Sequence, residues 1–464
     1  MNAFAAVVMV AWIPAVIGLF AVLPPRRAVI TSFLVAWLFL PIASFPIAGL
    51  PDYTKMSATC VGALLGAALF DPERLLSFRP RLLDVPMAIW CVCPLASALS
   101  NDMGLYAGLA ALLGHAITWG FPYLIGRVYL DSADALRELA IGIFIGGLVY
   151  VPLVVFEARM SPQLHTMLYG TRVGITSRRY TGFGAFCWMP SVFMWRSLSL
   201  VMFMASASVI GVWLWATGAL RRLRGISLGW LVPALPAATV LCKSLGGNML
   251  MVAGLASLFL ARWLRSSLPL LCLLLFAPAY ACLRTSGAWS GSHMVDFVAE
   301  NISSARASSV ETRVTNDTRL IGRALERPIL GWGPWGAFSD IERERGDPKV
   351  RFDGLWIMTL GKTGLLGLVA WSLALVLPVA LVAWRLPWSG TGPSSAAPAA
   401  AVSVVMAMHM VDCLFNAMVN PLFPLALGSL AGLACMWAPA PLFRHITTAT
   451  ALRINAKAAQ KETV

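Results

Sequence analysis

The stretch Leu355–Ala383, LWIMTLGKTGLLGLVAWSLALVLPVALVA, decides the fold class, because Lys362 is its only charged side chain. About 20 mainly apolar residues are enough to cross a bilayer, so this stretch predicts a membrane-spanning helix. The whole chain has the same character. Of its 464 residues, 59% are hydrophobic and 12% are charged, whereas soluble domains carry about 25% charged residues. The sequence therefore predicts an all-α, polytopic integral membrane protein.

Similar apolar runs recur along the chain and predict about 12 to 13 transmembrane helices in a single membrane domain, residues 1–464. The run Met56–Phe70 is short, which accounts for the range in this number. No charged residue precedes the first run, so we expect it to remain as a span rather than to be removed as a signal peptide. The predicted spans are Ala3–Leu23, Ala28–Leu50, Met56–Phe70, Leu82–Leu99, Gly104–Ile125, Leu139–Phe156, Leu198–Leu220, Ile226–Cys242, Leu245–Ala261, Leu268–Leu283, Leu355–Ala383, Ala399–Phe415 and Leu422–Trp437.

Arginine residues alternate between the loops in a way that predicts the orientation of the chain. When the N-terminus is placed outside, every inside loop holds arginine, whereas the short outside loops hold only Lys55 and Lys243. An excess of positive charge in cytoplasmic loops is the usual signal of orientation. The tail, residues 438–464, is then cytoplasmic. The inside arginines are Arg26, Arg27, Arg74, Arg79, Arg81, Arg127, Arg137, Arg221, Arg222, Arg224, Arg262, Arg265 and Arg385.

Two longer outside segments, residues 157–197 and 284–354, are rich in arginine and depart from this pattern. Long loops cross the membrane largely regardless of charge, so the orientation stands. Their positive charge needs another explanation, and an anionic ligand provides one. The net charge of +14 does not indicate nucleic acid, because no basic stripe interleaved with aromatic residues occurs on a soluble surface. Neither CxxC nor HExxH occurs, so no metal site is predicted.

Residues Ser303–Arg327 predict an amphipathic helix in the second segment, which Pro328 ends. The basic stripe of this helix has two interpretations. It is either a solvated face or a surface for an anion, and the few acidic residues nearby favour the anion. The planar guanidinium group suits phosphate in particular. The apolar stripe is Val310, Val314, Ile321 and Leu325, and the basic stripe is Arg319, Arg323 and Arg327.

The sequence Pro328–Phe338 contains a formal GxGxxG, but it does not predict a dinucleotide site. That site needs a preceding strand and a following helix in a βαβ unit, whereas this motif follows a helix and contains Pro334. Its glycines predict a turn that lets backbone approach a ligand closely. Further on, Asp353 precedes the predicted span Leu355–Ala383. It is predicted to be the N-cap of that helix, a group of a site at its outer mouth, or both.

Arg313, Pro328 fifteen residues further on, and Gly331, Gly333 and Phe338 resemble the bacterial O-antigen ligase and polymerase superfamily, as does the span start with Leu360, Gly364 and Gly367. The sequence Arg179-Tyr-Thr-Gly182 is similar to the earlier loop motif of that family. The resemblance implies a GT-C-type fold with a large extracytoplasmic loop. It also implies a metal-independent glycosyltransferase that needs no cofactor and lies in the bacterial inner membrane with its functional loops in the periplasm.

The resemblance implies that Arg179, Arg313 and Asp353 are catalytic. Arginine side chains would stabilise the charge that develops on a diphosphate leaving group. The chain departs from the family at Asp353-Gly354, where His-Asn is common, and it lacks the Pro-Asn after the first loop motif. A carboxylate at position 353 would take the proton from an acceptor hydroxyl. The implied binding residues for diphosphate and glycan are Arg172, Arg178, Arg319, Arg323, Gly331 and Gly333.

The function implied is the polymerisation or ligation of glycan linked to undecaprenyl diphosphate, in the biosynthesis of a surface polysaccharide such as O-antigen or exopolysaccharide. The partners would be an acceptor glycan or lipid, membrane lipids and components of an export system. Two alternatives stay open, a transporter or flippase and a non-catalytic assembly component. Coupled transport usually needs several ionisable residues within the spans, and the sequence offers few, mainly His115, His409 and Asp412.

Overall fold

The computed structural model describes residues 1–47, 50–172, 178–180, 186–301, 304–334, 338, 353–388 and 396–437. Within these ranges the chain is helical apart from three short antiparallel ribbons of two strands each. Nine of the described helices are long and apolar enough to cross a membrane, and three shorter apolar helices accompany them. The prediction of an all-α chain with many spans is confirmed at this level. The predicted cytoplasmic tail lies outside the described residues.

The helices follow the predicted apolar runs, and several arise from the arginine-rich segments between them. A short π-helical segment, Ala116–Gly120, joins the helices Leu105–His115 and Phe121–Tyr129, and a short 3₁₀ turn, Leu82–Asp84, precedes the helix Val85–Ser100. The strands are β1 (Ser44–Ile47), β2 (Leu50–Thr54), β3 (Arg178–Tyr180), β4 (Phe186–Trp188), β5 (Arg222–Leu223) and β6 (Ile226–Ser227). The helices are α1 (Ala3–Val22), α2 (Pro25–Phe39), α3 (Lys55–Phe70), α4 (Pro72–Leu76), α5 (Val85–Ser100), α6 (Leu105–His115), α7 (Phe121–Tyr129), α8 (Ala133–Met160), α9 (Leu164–Tyr169), α10 (Ser197–Ala216), α11 (Leu228–Leu231), α12 (Ala234–Leu241), α13 (Leu245–Leu264), α14 (Leu268–Thr285), α15 (Ser292–Asn301), α16 (Ser304–Ala324), α17 (Leu355–Arg385), α18 (Ala397–Phe415) and α19 (Leu422–Trp437).

Proline residues explain where the structure departs from the predicted spans. The run Ala28–Leu50 is helical only to Phe39, because Pro41 disfavours a helical conformation in the residue before it. The chain then continues into β1. The run Ile226–Cys242 is divided into α11 and α12 near Pro233. The prediction of a continuous span at Ala28–Leu50 was therefore wrong, whereas Leu228–Leu241 is an apolar helix that is shorter than a full span.

Helices α10 and α18 form the centre of the bundle, since nearly all of their residues are buried. The helices α8, α13, α14 and α17 pack around them. At one side α7 and α19 approach closely through glycine. A Cβ atom at Gly126 would lie 2.1 Å from the carbonyl oxygen of Leu425, and one at Gly428 would lie 2.0 Å from that of Tyr123. Small residues permit this backbone contact in membrane bundles.

Helix α17 is broken at Gly364, whose φ of +66° lies in the left-handed region. A break frees backbone groups that a membrane interior cannot leave unpaired. The segment Pro328–Gly333 satisfies them, because its carbonyls accept from the N–H groups after the break and its N–H groups donate to the carbonyls before it. This exchange fixes the segment and the start of α17 together. The N–H to carbonyl pairs are Leu365 to Pro328 (2.7 Å), Leu366 to Ile329 (3.2 Å), Trp332 to Gly361 (2.9 Å) and Gly333 to Lys362 (3.2 Å).

Substitution of Gly364 by alanine is expected to destabilise the protein by about 2–4 kcal/mol. The added Cβ would lie 2.3 Å from the carbonyl oxygen of Ile329, on a backbone with positive φ. Thermal unfolding in detergent measures the change. Gly322→Ala is the matched control, because a Cβ added there in α16 would have no atom within 4 Å. An equal loss in the two variants would contradict this account.

Candidate functional site

Arg313 lies at the centre of a group of carboxylates contributed by separate parts of the chain. Its Nε is 4.0 Å from Oδ2 of Asp353, and the two side chains are 35% and 36% exposed. An ion pair with this exposure contributes little to stability. Both groups can therefore reach a ligand in solution, and the arrangement resembles a binding site more than a structural clamp.

Asp353 is held beside the end of α18 by its neighbours. The N–H of Leu355 donates to the carbonyl of Asn416 at 3.3 Å, and a Cβ at Gly354 would lie 2.5 Å from the carbonyl oxygen of Leu414. Gly354 is the N-cap of α17, with no capping side chain. The interpretation of Asp353 as the N-cap is therefore wrong, and its carboxylate is directed to Arg313.

Asp412 and Asn416 join Arg313 at one end of a cavity of about 420 Å³. The amide Nδ2 of Asn416 donates to Oδ1 of Asp412 at 2.6 Å, and the charge of Arg313 acts on the same carboxylate. The rest of the wall is largely apolar and comes from α10, α13, α14 and α18. The cavity thus has a charged end and an apolar body. Its apolar lining includes Leu198, Val201, Met249, Leu250, Leu273 and Phe276.

Asp317 lies one turn after Arg313 on α16 and is buried. Burial raises the pKa of its carboxyl group to about 7, although the nearby Arg284 and a hydrogen bond from Tyr280 act to lower it. The guanidinium of Arg284 is itself fixed on α16, because Nη2 donates to the carbonyl of Val314 and to Oγ1 of Thr318, both at 2.9 Å. The buried layer beneath Arg313 therefore contains a second arginine and an acid with an altered pKa.

The structure places Arg323 away from this group. Its guanidinium stacks on the ring of Trp332, 3.6 Å from the ring centre, and forms an ion pair with Glu326. The indole N–H of Trp332 donates to the carbonyl of Arg323 at 2.9 Å. Arg319 is on the exposed side of the same helix. The part of the basic stripe at Arg323 thus serves to attach α16 to the segment that follows it.

Gly331 and Gly333 have packing roles in the structure. Their φ values are +71° and +106°. A Cβ at Gly331 would lie 2.6 Å from the backbone carbon of Lys362, and one at Gly333 would lie 2.5 Å from the sulfur of Met103. These close approaches explain the glycines without a ligand, while their predicted contact with substrate stays a prediction.

The first arginine-rich segment is anchored at both of its ends. Glu157 is fully buried at the end of α8. Its carboxylate accepts from the N–H groups of Leu164 (3.0 Å), Ser191 (2.9 Å) and Val192 (2.7 Å). The segment between these points contains β3 and β4. Arg178 and Arg179 belong to β3, paired with Trp188 and Cys187, but their side chains lie outside the described part, and Arg172 is exposed.

The two histidines predicted within spans make ring contacts. His115 lies against Trp90, with ring centres 4.7 Å apart, and His409 stacks on Phe423 at 3.8 Å. Both contacts are typical of packed polar residues. Asp412 differs from them, because it lines the cavity with Arg313.

Comparison with known proteins assigns no family. No family model and no curated protein matches the chain. The resemblance to the O-antigen ligase and polymerase superfamily thus depends on the order and spacing of the motif residues. The geometry adds that Arg313, one of those residues, lies beside Asp353, where the chain departs from the family motif.

Sequence reasoning did not assign Asp317, Asn416 or Glu157 to a site, and it gave Asp412 only as one of the few ionisable residues within the spans. One signal pointed to Asp412, since acidic residues within spans are costly and often functional. Asp317 gave no such signal, because α16 also carries exposed acids such as Glu311.

Proposed function

We propose that this chain is a glycosyltransferase of the bacterial inner membrane that acts on glycan linked to undecaprenyl diphosphate. It would polymerise that glycan or ligate it to an acceptor. The observation that carries the proposal is the position of Arg313, whose guanidinium lies at the charged end of an apolar cavity and 4.0 Å from a carboxylate. A lipid diphosphate has a matching division into a charged head and an apolar tail.

The proposed reaction needs an anion-stabilising group and a proton acceptor. A bond forms between the acceptor oxygen and the anomeric carbon, while the bond from that carbon to the phosphate oxygen breaks. The leaving lipid diphosphate keeps the electron pair, and Arg313 stabilises its developing charge. The acceptor proton passes to Asp353, whose side chain is 36% exposed and thus accessible to a hydroxyl group.

The apolar body of the cavity supports a lipid substrate. Its volume of about 420 Å³ falls in the range of small-molecule pockets, roughly 300–1,000 Å³. The predicted orientation places the Arg313 end of the bundle in the periplasm, where a lipid-linked glycan would be used. The motif resemblance supports the same substrate.

Transport is the second candidate, because the broken helix α17 is a feature that many transporters use for binding. In transporters the half-helix ends are available to the substrate. Here the segment Pro328–Gly333 pairs with the backbone groups on both sides of Gly364. This pairing favours a structural break and therefore the enzyme.

The decisive experiment measures release of undecaprenyl diphosphate from the lipid-linked oligosaccharides of the host by purified protein in liposomes. We expect release that depends on an acceptor glycan or lipid. Movement of the intact lipid across the bilayer without release would favour transport. If folded protein gives neither, the proposal of an enzyme fails and an assembly role remains.

Asp353→Asn is expected to lower that release by roughly 10²-fold or more, because an amide cannot accept the proton. Asp353→His should keep much of the activity, since imidazole is a suitable base. Asp296→Asn, an exposed acid on α15, serves as the control. Full activity in Asp353→Asn would remove Asp353 from the mechanism and leave the role of proton acceptor to another group.

A further inference from the structure

Asp317 is a buried acid for which the proposed reaction has no direct use. Its residue surface is 8% exposed. In the described part of the chain, the hydroxyl of Tyr280 supplies it with one long hydrogen bond, of 3.4 Å. The ring of Tyr280 is surrounded by the rings of Trp289, Trp356 and Phe415. A carboxylate in such surroundings is stable only when it is near cations or neutral.

The charged groups that act on Asp317 come from three parts of the chain. Helix α14 contributes Arg284, α16 contributes Arg313, and Asp353 precedes α17. Two guanidinium groups and one further carboxylate therefore act on Asp317. The pKa of Asp317 is raised to about 7 on balance, because burial and the charge of Asp353 raise it by more than Arg284, Tyr280 and Arg313 lower it.

We propose that Asp317 couples anion binding at Arg313 to the uptake of one proton. The anion in question is the diphosphate, so the inference rests on the proposed function and extends it. An ionised Asp317 competes with a bound anion for the positive charge of Arg313. When the anion binds, a proton from solvent is added to a carboxylate oxygen of Asp317, and no other bond forms or breaks. Asp317 is thus a positioning residue that acts through Arg313.

The direction of the pH dependence follows from the raised pKa. Asp317 is mainly neutral below about pH 7 and ionised above it. Anion affinity should therefore be high at mildly acidic pH and fall as the pH rises through 7. The folded state also holds a proton that the unfolded chain loses near its ordinary pKa of 3.8. This contribution to stability is present at low pH and is lost as the pH rises through 7.

The test is binding of a short-chain polyprenyl-diphosphate sugar to the purified full chain in detergent, at about pH 6 and about pH 8. Each phosphate of this probe carries one ester bond and the shared anhydride bond, so it has a single negative charge and no proton that titrates over that interval. We expect wild type to bind on the order of tenfold more weakly at the higher pH. Asp317→Asn should lose most of this difference, with an affinity near that of wild type at the lower pH; Asp412, which also faces Arg313, accounts for any remainder. The control Asp296→Asn should keep the wild-type dependence.

Two results would overturn the coupling. One is a wild-type affinity that is the same at both pH values, and the other is a pH dependence in Asp317→Asn that is as large as in wild type. Infrared spectroscopy gives a readout that needs no ligand, because a protonated buried carboxyl has its own band. The difference spectrum of wild type minus Asp317→Asn should contain that band at about pH 6, and its absence from the difference spectrum would also overturn the inference. Binding without pH dependence refutes the coupling alone, whereas no binding at either pH refutes the proposed function as well.

Discussion

Arg313→Ala is expected to lower the release of undecaprenyl diphosphate by about 10²–10³-fold, the usual effect of removing one preorganised group that stabilises a developing anion. Arg313 alone among the described residues both lines the cavity with Asp412 and pairs with Asp353. Its loss leaves these acids and the buried Asp317 without their shared cation. Turnover is measured in liposomes with saturating lipid-linked oligosaccharide.

Two variants separate the roles of charge and geometry in this result. Arg313→Lys keeps the charge but loses the planar pair of donors, so we expect an intermediate loss. Arg196→Ala removes an exposed arginine at the start of α10, and it should have wild-type turnover. If Arg313→Ala retains more than about a third of wild-type turnover, electrostatic stabilisation at this site is not the source of the activity.

Glu157→Ala is expected to destabilise the protein by roughly 3–6 kcal/mol, because it leaves two buried N–H groups and one partly buried N–H group without an acceptor, and each buried one costs about 1–3 kcal/mol. These are the amides of Leu164, Ser191 and Val192. The change should also release the segment that contains Arg178 and Arg179, so turnover should fall below what the loss of stability alone explains. Thermal unfolding can be followed with a thiol-reactive dye, since several free cysteines are buried.

The matched variants for this prediction are Glu157→Gln and Glu300→Ala. Glutamine keeps one acceptor oxygen, so it should recover part of the stability. Glu300 is an exposed acid on α15, and its removal should change the unfolding free energy by less than about 0.5 kcal/mol. A Glu157→Ala variant that unfolds like wild type would show that the segment is held by other contacts.

Much of the fold could be predicted because hydropathy is a local property. The run Leu245–Ala261 became α13, Leu245–Leu264, and the run Leu268–Leu283 became α14, Leu268–Thr285. The span that was predicted wrongly also has a local cause. An average of hydropathy along the chain counts Pro41 as a mildly apolar residue, whereas its missing N–H and its effect on the preceding residue end α2.

The site was only partly predictable because burial and proximity are tertiary properties. The motif spacing selected Arg313 and Asp353 without showing that they are 4.0 Å apart. Nothing in the sequence distinguishes Asp317 from the exposed acids of the same helix, since its burial depends on α14 and α17. The basic stripe illustrates the opposite error, because Arg319 and Arg323 have the same spacing but Arg323 stacks on Trp332.

The joint at Gly364 has a mechanical consequence for the site. The segment Pro328–Gly333 is tied to α17 on both sides of this joint, to Gly361 and Lys362 before it and to Leu365 and Leu366 after it. A bilayer of different thickness tilts or shifts a spanning helix, and here the hydrogen bonds across the joint oppose such a movement. The height of Asp353 relative to Asp412 is then set by protein contacts, so the geometry around Arg313 is insulated from changes in the lipid that surrounds the chain.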